Sequence, residues 1–181
     1  LHRDEELHVV KYYTAIRPLP KKIYSDKEDQ RQRQESLDRQ RAYITALRAT
    51  PGTEVNEHHF VEKDPWVCDR CCRKRSRFEE KQTDVHIATD LVADAAVNRF
   101  DRAWIISADT DLVPAIECVK RNWPEKELRI LFPPGQHQAD ALIAAAHFSA
   151  RIQKKHLMKN LLPESVPLKS GGSISRPTDW N

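Results

Sequence analysis

Apolar and polar positions alternate with several different rhythms along this chain. "LHVVKYYTAI", residues 7–16, is dense in β-branched and aromatic residues and predicts a strand, which the two prolines of "RPLPKKI" end. From Asp26 to Ala49 the chain is strongly polar, with Leu37, Ile44 and Leu47 near the helical period and gathered in the second half. That pattern predicts a long helix whose first half is an exposed charged face, stopped by Pro51-Gly52. "TEVNEHHFVEK" predicts a second strand, and residues 63–82 read as a basic loop. Val85, Ala88, Leu91, Val92, Ala95 and Ala96 then form one helical stripe, with Thr83 or Asp84 as its N-cap. A strand over 103–107, a helix over 111–122, the strand "ELRILF", a Pro133-Pro134-Gly135 turn and the helix "ADALIAAAHF" follow. Beyond Gln153 the chain is basic, then rich in Pro, Ser and Gly. Residues 154–181 therefore read as a tail or docking segment, after a domain over 1–153.

Strands alternating with helices predict an α/β protein with a mostly parallel central sheet flanked by helices. In such sheets ligands bind beyond the carboxyl ends of the strands. The apolar run Trp104-Ile105-Ile106 delivers Asp109 and Asp111 to that rim, and the helix beginning at Asp84 aims a third carboxylate the same way. Carboxylates so close repel one another unless something compensates them, and a hard cation such as Mg²⁺ or Mn²⁺ does so. Asp84 and Asp111 could equally be plain helix caps.

Totals narrow the class. The 181 residues suffice for one well-cored domain. At 39% hydrophobic, 31% charged and a mean hydropathy of -0.71, the composition is that of a polar globular chain with no membrane-length apolar run. A net charge of +3 and a pI near 8.7 are too mild to argue nucleic acid alone. Four cysteines, three of them Cys68, Cys71 and Cys72, are too crowded for a disulfide framework and fit a reducing cytoplasm. Cys68 and Cys71 with His58 and His59 would make a zinc set; unpaired loop thiols are the alternative. Arg70, Arg73, Lys74, Arg75 and Arg77, with Trp66 and Phe78, give the basic segment the means to hold phosphates and stack unpaired bases, or simply a solvated loop. Because it directly precedes Asp84, this segment is expected beside the acidic rim.

"KQTDVHIATDLVADA" followed by "FDRAWIISADTDLVPAIECVKR" resembles the NYN domain, the LabA-like branch of the PIN-like nuclease superfamily. Lys81, Asp84 and Val85 match the family's Lys-x-x-Asp-Val helix start. Ser107, Asp109, Thr110, Asp111, Leu112 and Pro114 match its Ser-x-Asp-[Ser/Thr]-Asp-[Phe/Leu]-x-Pro strand end. The resemblance extends over roughly residues 7–153. It implies a PIN-like three-layer sandwich and a metal-dependent endoribonuclease acting on single-stranded or structured RNA. Asp84, Asp109 and Asp111 would carry Mg²⁺ or Mn²⁺, supported by Ser107, Thr110 and Lys81; Asp90 falls where family members often carry an acid. The family opens with a strand ending in Ile-Asp-Gly-x-Asn, whose aspartate joins the metal site. Nothing before Leu7 resembles it, so that strand and a first helix are expected upstream of Leu1. His147 stands where the family often has an aspartate.

The rivals are a non-catalytic RNA-binding or regulatory module on the same fold, a haloacid-dehalogenase-like phosphatase, and an interaction scaffold docking through "KNLLPESVPLKSGG". A homodimer or a protein partner engaging the C-terminal tail is compatible with any of these. With four glycines there is no phosphate-cradling Gly-rich loop, and no Ser-His-Asp or Cys-His arrangement stands out.

Overall fold

The computed structural model describes residues 5–16, 18–19, 27–72 and 74–177, and of Arg75 and Ser76 the backbone alone. The chain divides into two compact units, Leu1–Thr83 with Leu162–Asn181, and Asp84–Leu161.

In the first unit, strand β1 (Val10–Ala15) is followed by helix α1 (Lys27–Ala49) and the long strand β2 (Thr53–Val67). α1 is helical for two different reasons along its length. Its exposed first half is supported by ion pairs one turn apart, Arg31 to Glu28 at 3.3 Å and to Glu35 at 3.4 Å. The second half is anchored by the buried Leu37, Ile44 and Ala46, and Gln40 Nε2 donates to the Ala15 carbonyl at 3.0 Å. Tyr43 packs edge-on against Tyr12 of β1, ring centroids 5.8 Å apart.

β2 changes partner midway. Thr53–His58 pair in parallel with β1, and from His59 onward the strand pairs antiparallel with β3 (Lys74–Lys81). The register shifts between Lys63 and Trp66, where Pro65 has no amide to offer the ladder. Residues 63–82 are thus not the expected loop but a β-ribbon with a short turn near Asp69–Cys71. Charge on both faces hid the alternation. The ladder carries these charges as cross-strand and same-strand ion pairs, Lys63 to Glu79 at 3.3 Å and Lys81 to Glu79 at 2.5 Å.

The C-terminal stretch is not wholly irregular either. Ser165–Pro167 and Ser173–Ser175 form an antiparallel hairpin against α1, with Val166 buried and Gly171 and Gly172 both at positive φ in its turn.

The second unit is a parallel sheet with helices on its core face. Helix α2 (Thr83–Ala96, whose first residue belongs to the other unit), strand β4 (Arg102–Ile106), a 3₁₀ turn (Thr110–Leu112) and helix α3 (Val113–Asn122) come first. Strand β5 (Glu127–Phe132), helix α4 (Asp140–Ala145), strand β6 (Phe148–Arg151) and helix α5 (Lys154–Lys159) complete it. β4, β5 and β6 lie side by side, all parallel. Leu128, Ile130 and Phe132 alternate onto one face of β5 and are wholly buried among Leu91, Ala95, Leu112, Ile116, Val119 and Leu142. β6 was hidden in the helix expected over 139–148. The chain turns extended at Ala146, and four residues are too few to display a strand period. Overall the protein is a mixed α/β structure with parallel pairing and flanking helices. Its described strands make two three-stranded sheets and a hairpin rather than one central sheet.

Candidate functional site

The aspartate loop is built from the core outward. β4 is held in register by β5, Ile106 opposite Leu131, and the chain then leaves the sheet at its carboxyl end. Six residues after Ile106, Leu112 is buried, and Pro114 lies in the first turn of α3, where its missing amide costs nothing. Between these two anchors the loop has little freedom. Ser107 Oγ accepts the Asp109 amide at 3.0 Å, and Asp109 Oδ1 accepts the Asp111 amide at 2.9 Å. Asp109, extended at φ -86 and ψ 119, is therefore the cap of the 3₁₀ turn. Asp111, a cap candidate from sequence, lies inside that turn. Asp109 is half-buried while Thr110 and Asp111 are exposed.

Asp84 is the exposed second residue of α2, where a negative charge suits the positive helix end. Thr83 begins that helix and its hydroxyl donates to Glu80 Oε1 at 2.5 Å. Asp90, half-buried, lies further along α2, and Asp94 pairs with Arg99 at 3.4 Å. Lys81 belongs to the ribbon, bonded to Glu79.

Sequence expected Asp84, Asp109 and Asp111 to share one ion. The structure joins Ser107, Asp109 and Asp111 in one hydrogen-bonded loop, but among the described residues no three His, Cys, Asp or Glu side chains are placed to hold a metal. The fit to Mg²⁺ or Mn²⁺ rests on the hard oxygen donors of Asp109 and Asp111. Such ions need one or two carboxylates, water and substrate phosphate rather than a full protein cage.

The zinc set does not form. β2 is continuous from His58 and His59 to Val67, so roughly 30 Å of extended chain separates them from Cys68. As neighbours on a strand, the two histidines also point to opposite faces; His58 stacks on Tyr13, centroids 6.4 Å apart. Of the basic set, Arg70, Lys74 and Arg77 are exposed on the ribbon, whereas Arg73 and the Arg75 side chain lie outside the described residues. Trp66 is 51% exposed and Phe78 half-buried. Hydrogen bonds from Lys81 and then Lys63 hold the Glu79 carboxyl below the ordinary glutamate value.

Two clusters went unread, and His147 takes a contact the sequence did not suggest. Arg129 lies between Trp104 and Phe148, 4.8 and 5.4 Å from their ring centroids, and bonds Glu127 at 2.5 Å. Cross-strand register makes that cluster, and no local pattern signals it. His147 Nδ1 accepts the Leu128 amide at 3.0 Å, which ties the position to the start of β5 rather than to a metal. Lys126, only 3% exposed, donates to Asn98 Oδ1 beneath the Phe100 ring.

The NYN domain model matches residues 5–152. The 6-hydroxy-3-succinoylpyridine 3-monooxygenase HspA of Pseudomonas putida (strain DSM 28022 / S16) is 27% identical over 164 residues, covering 81% of this chain and 52% of its own. This chain thus spans about half the length of that relative. The crystal structure of VPA0982, a protein of unknown function from Vibrio parahaemolyticus RIMD 2210633, overlaps 81% of this chain and 70% of its own at 20% identity and a TM-score of 0.41. Among the described residues no helix is long and apolar enough to cross a membrane.

Proposed function

This chain belongs to the NYN domain family, and from that premise we propose that it hydrolyses RNA phosphodiesters with a Mg²⁺ or Mn²⁺ held by carboxylates. The family is nuclease-like. The observation that carries the reading is the loop after β4, in which Ser107 fixes Asp109 and Asp109 fixes the Asp111 amide at the carboxyl end of a parallel strand.

In this reading Asp109 and Asp111 are the principal ligands, with Asp84 as the third and Asp90 as an auxiliary acid. When bound, such an ion polarises the phosphate and lowers the pKa of the water it holds. The chain's own contribution is orientation. Asp109 meets its ligand with Oδ1 already engaged by an amide and its backbone fixed by Ser107, so little order is lost on binding. Thr110 supports the acids, and Arg70, Lys74 and Arg77 offer charge to phosphates. The exposed indole of Trp66 offers a base a stacking face. A PIN-like sandwich is the architecture this reading implies, and the cytoplasm is where its reduced thiols and its substrate coexist.

A second reading, a non-catalytic RNA-binding module, is favoured by the absence of a ready three-ligand cluster among the described residues. Cleavage of labelled single-stranded RNA with Mn²⁺ decides between them. Cleavage by this chain, abolished by Asp109→Asn and by chelation, establishes the nuclease. RNA binding without cleavage establishes the module. Oxygen-dependent consumption of 6-hydroxy-3-succinoylpyridine with RNA untouched would instead extend to this chain the activity named for the Pseudomonas relative.

A further inference from the structure

We infer that the tip of the β2–β3 ribbon is half of a tetrahedral zinc site, completed by the same tip of a second copy of this chain. Cys68 follows the last residue of β2 directly, and Cys71 lies two residues on, past Asp69 and Arg70. That is the spacing at which two thiolates from one tight turn reach a single Zn²⁺, at about 2.3 Å each. The turn is closed by the Cys72 amide, which donates to the Cys68 carbonyl at 2.8 Å. It is also forced at one point: Cys72 sits at φ 52, a left-handed conformation that a residue with a Cβ rarely adopts outside an over-determined turn. All four cysteines of the chain are reduced thiols, and Cys71 and Cys72 are exposed.

Among the described residues no third His, Cys, Asp or Glu joins the Cys68–Cys71 pair to hold a metal. β2 runs without interruption for fifteen residues, which removes His58 and His59 from the tip by tens of ångströms. The missing pair must come from outside this ribbon, and the surface beside the thiols indicates a second copy. Trp66 and Val67, immediately before Cys68, are 51% and 43% exposed, so a large aromatic and a β-branched side chain lie in water at the end of a solvated hairpin. Two tips meeting about a two-fold axis would cover both pairs, with an aromatic anchor at the centre of the contact. Charge agrees as well. Four thiolates around Zn²⁺ leave a net double negative charge, which Arg70, Lys74 and Arg77 on each ribbon offset. Each thiol loses its proton to water on binding, so the complex tightens as pH rises. The inference uses none of the aspartates and stands or falls independently of RNA cleavage.

The test uses the full chain, reduced and metal-free, titrated with Zn²⁺ and with Co²⁺ as a spectroscopic stand-in while light scattering follows the molar mass. The expected result is saturation at about one ion per two chains, a tetrahedral thiolate cobalt spectrum and a doubled mass reversed by a chelator. Cys71→Ser abolishes all three, and Cys118→Ser, in α3 of the other unit, retains them. Saturation at one ion per chain without a mass change, doubling without metal, or an unaltered response in Cys71→Ser would each overturn the inference.

Discussion

β5 and β2 are neighbours in kind but opposites in behaviour. β5 is six residues long and buries every second side chain completely, Leu128, Ile130 and Phe132. β2 is fifteen residues long and buries none fully. The first is held by apolar packing. The second is held by backbone ladders and by ion pairs such as Lys63–Glu79 and Arg48–Glu57 at 2.7 Å, each worth little in solvent. The difference suits what each presents. Asp109 and Asp111 follow the strand beside β5, whereas the ribbon presents long charged side chains and a thiol turn.

Mutations should expose this contrast, the most drastic first. Phe132→Ala leaves a cavity in a fully packed core and should cost about 3–5 kcal/mol in denaturant unfolding. A cost under about 1 kcal/mol would mean that the second unit's core is far looser than its burial indicates. Asp109→Asn comes next and separates two roles in one side chain. Asparagine caps as well as aspartate, so stability should hold within about 0.5 kcal/mol, while cleavage should fall at least about 100-fold, roughly 2.7 kcal/mol. Asp109→Ala should lose about 1 kcal/mol of stability in addition.

A smaller effect, with a defined sign, concerns Glu127. Its bonds to Arg129 and Arg102 hold the carboxyl below the ordinary value of 4.5. A carboxylate whose pKa is lowered on folding stabilises the fold fully above that value, and loses its contribution as pH falls through the lowered one. The stability gap between the native chain and Glu127→Gln should therefore be constant near neutrality and close on acidification below 4.5. A gap that does not change with pH would show that the ion pairs contribute nothing. Least of all, Val61→Ala on the ribbon should move stability by no more than about 0.5 kcal/mol. A larger loss would place Val61 in a packed environment and collapse the contrast between the two strands.

How much of this was legible depended on how the side chains advertise their burial. α1, α2, α3 and the strands β4 and β5 all follow from apolar spacing. So does the placement of Asp109 and Asp111 beyond a strand's carboxyl end, because an apolar run that stops at Ser107 leaves little choice. β3 was invisible, since a ribbon paired through charged residues has no apolar face to alternate. β6 was too short to show a period beside an alanine-rich helix. The zinc set failed because a sequence cannot say whether nine residues fold back or extend; the continuous strand from His59 to Val67 answers that.

The sequence alone determined the order of the principal elements, the acidic loop and the family, all of which rest on local spacing and short motifs. Only the tertiary structure decided which aspartate caps the 3₁₀ turn, that Arg129 lies between two aromatic rings, and that Cys68, Cys71 and Cys72 stand at the tip of a ribbon. Those outcomes depend on strand register and on which backbone amide meets which oxygen. Register is set by the summed pairing of a whole strand, and no single residue along it carries that information.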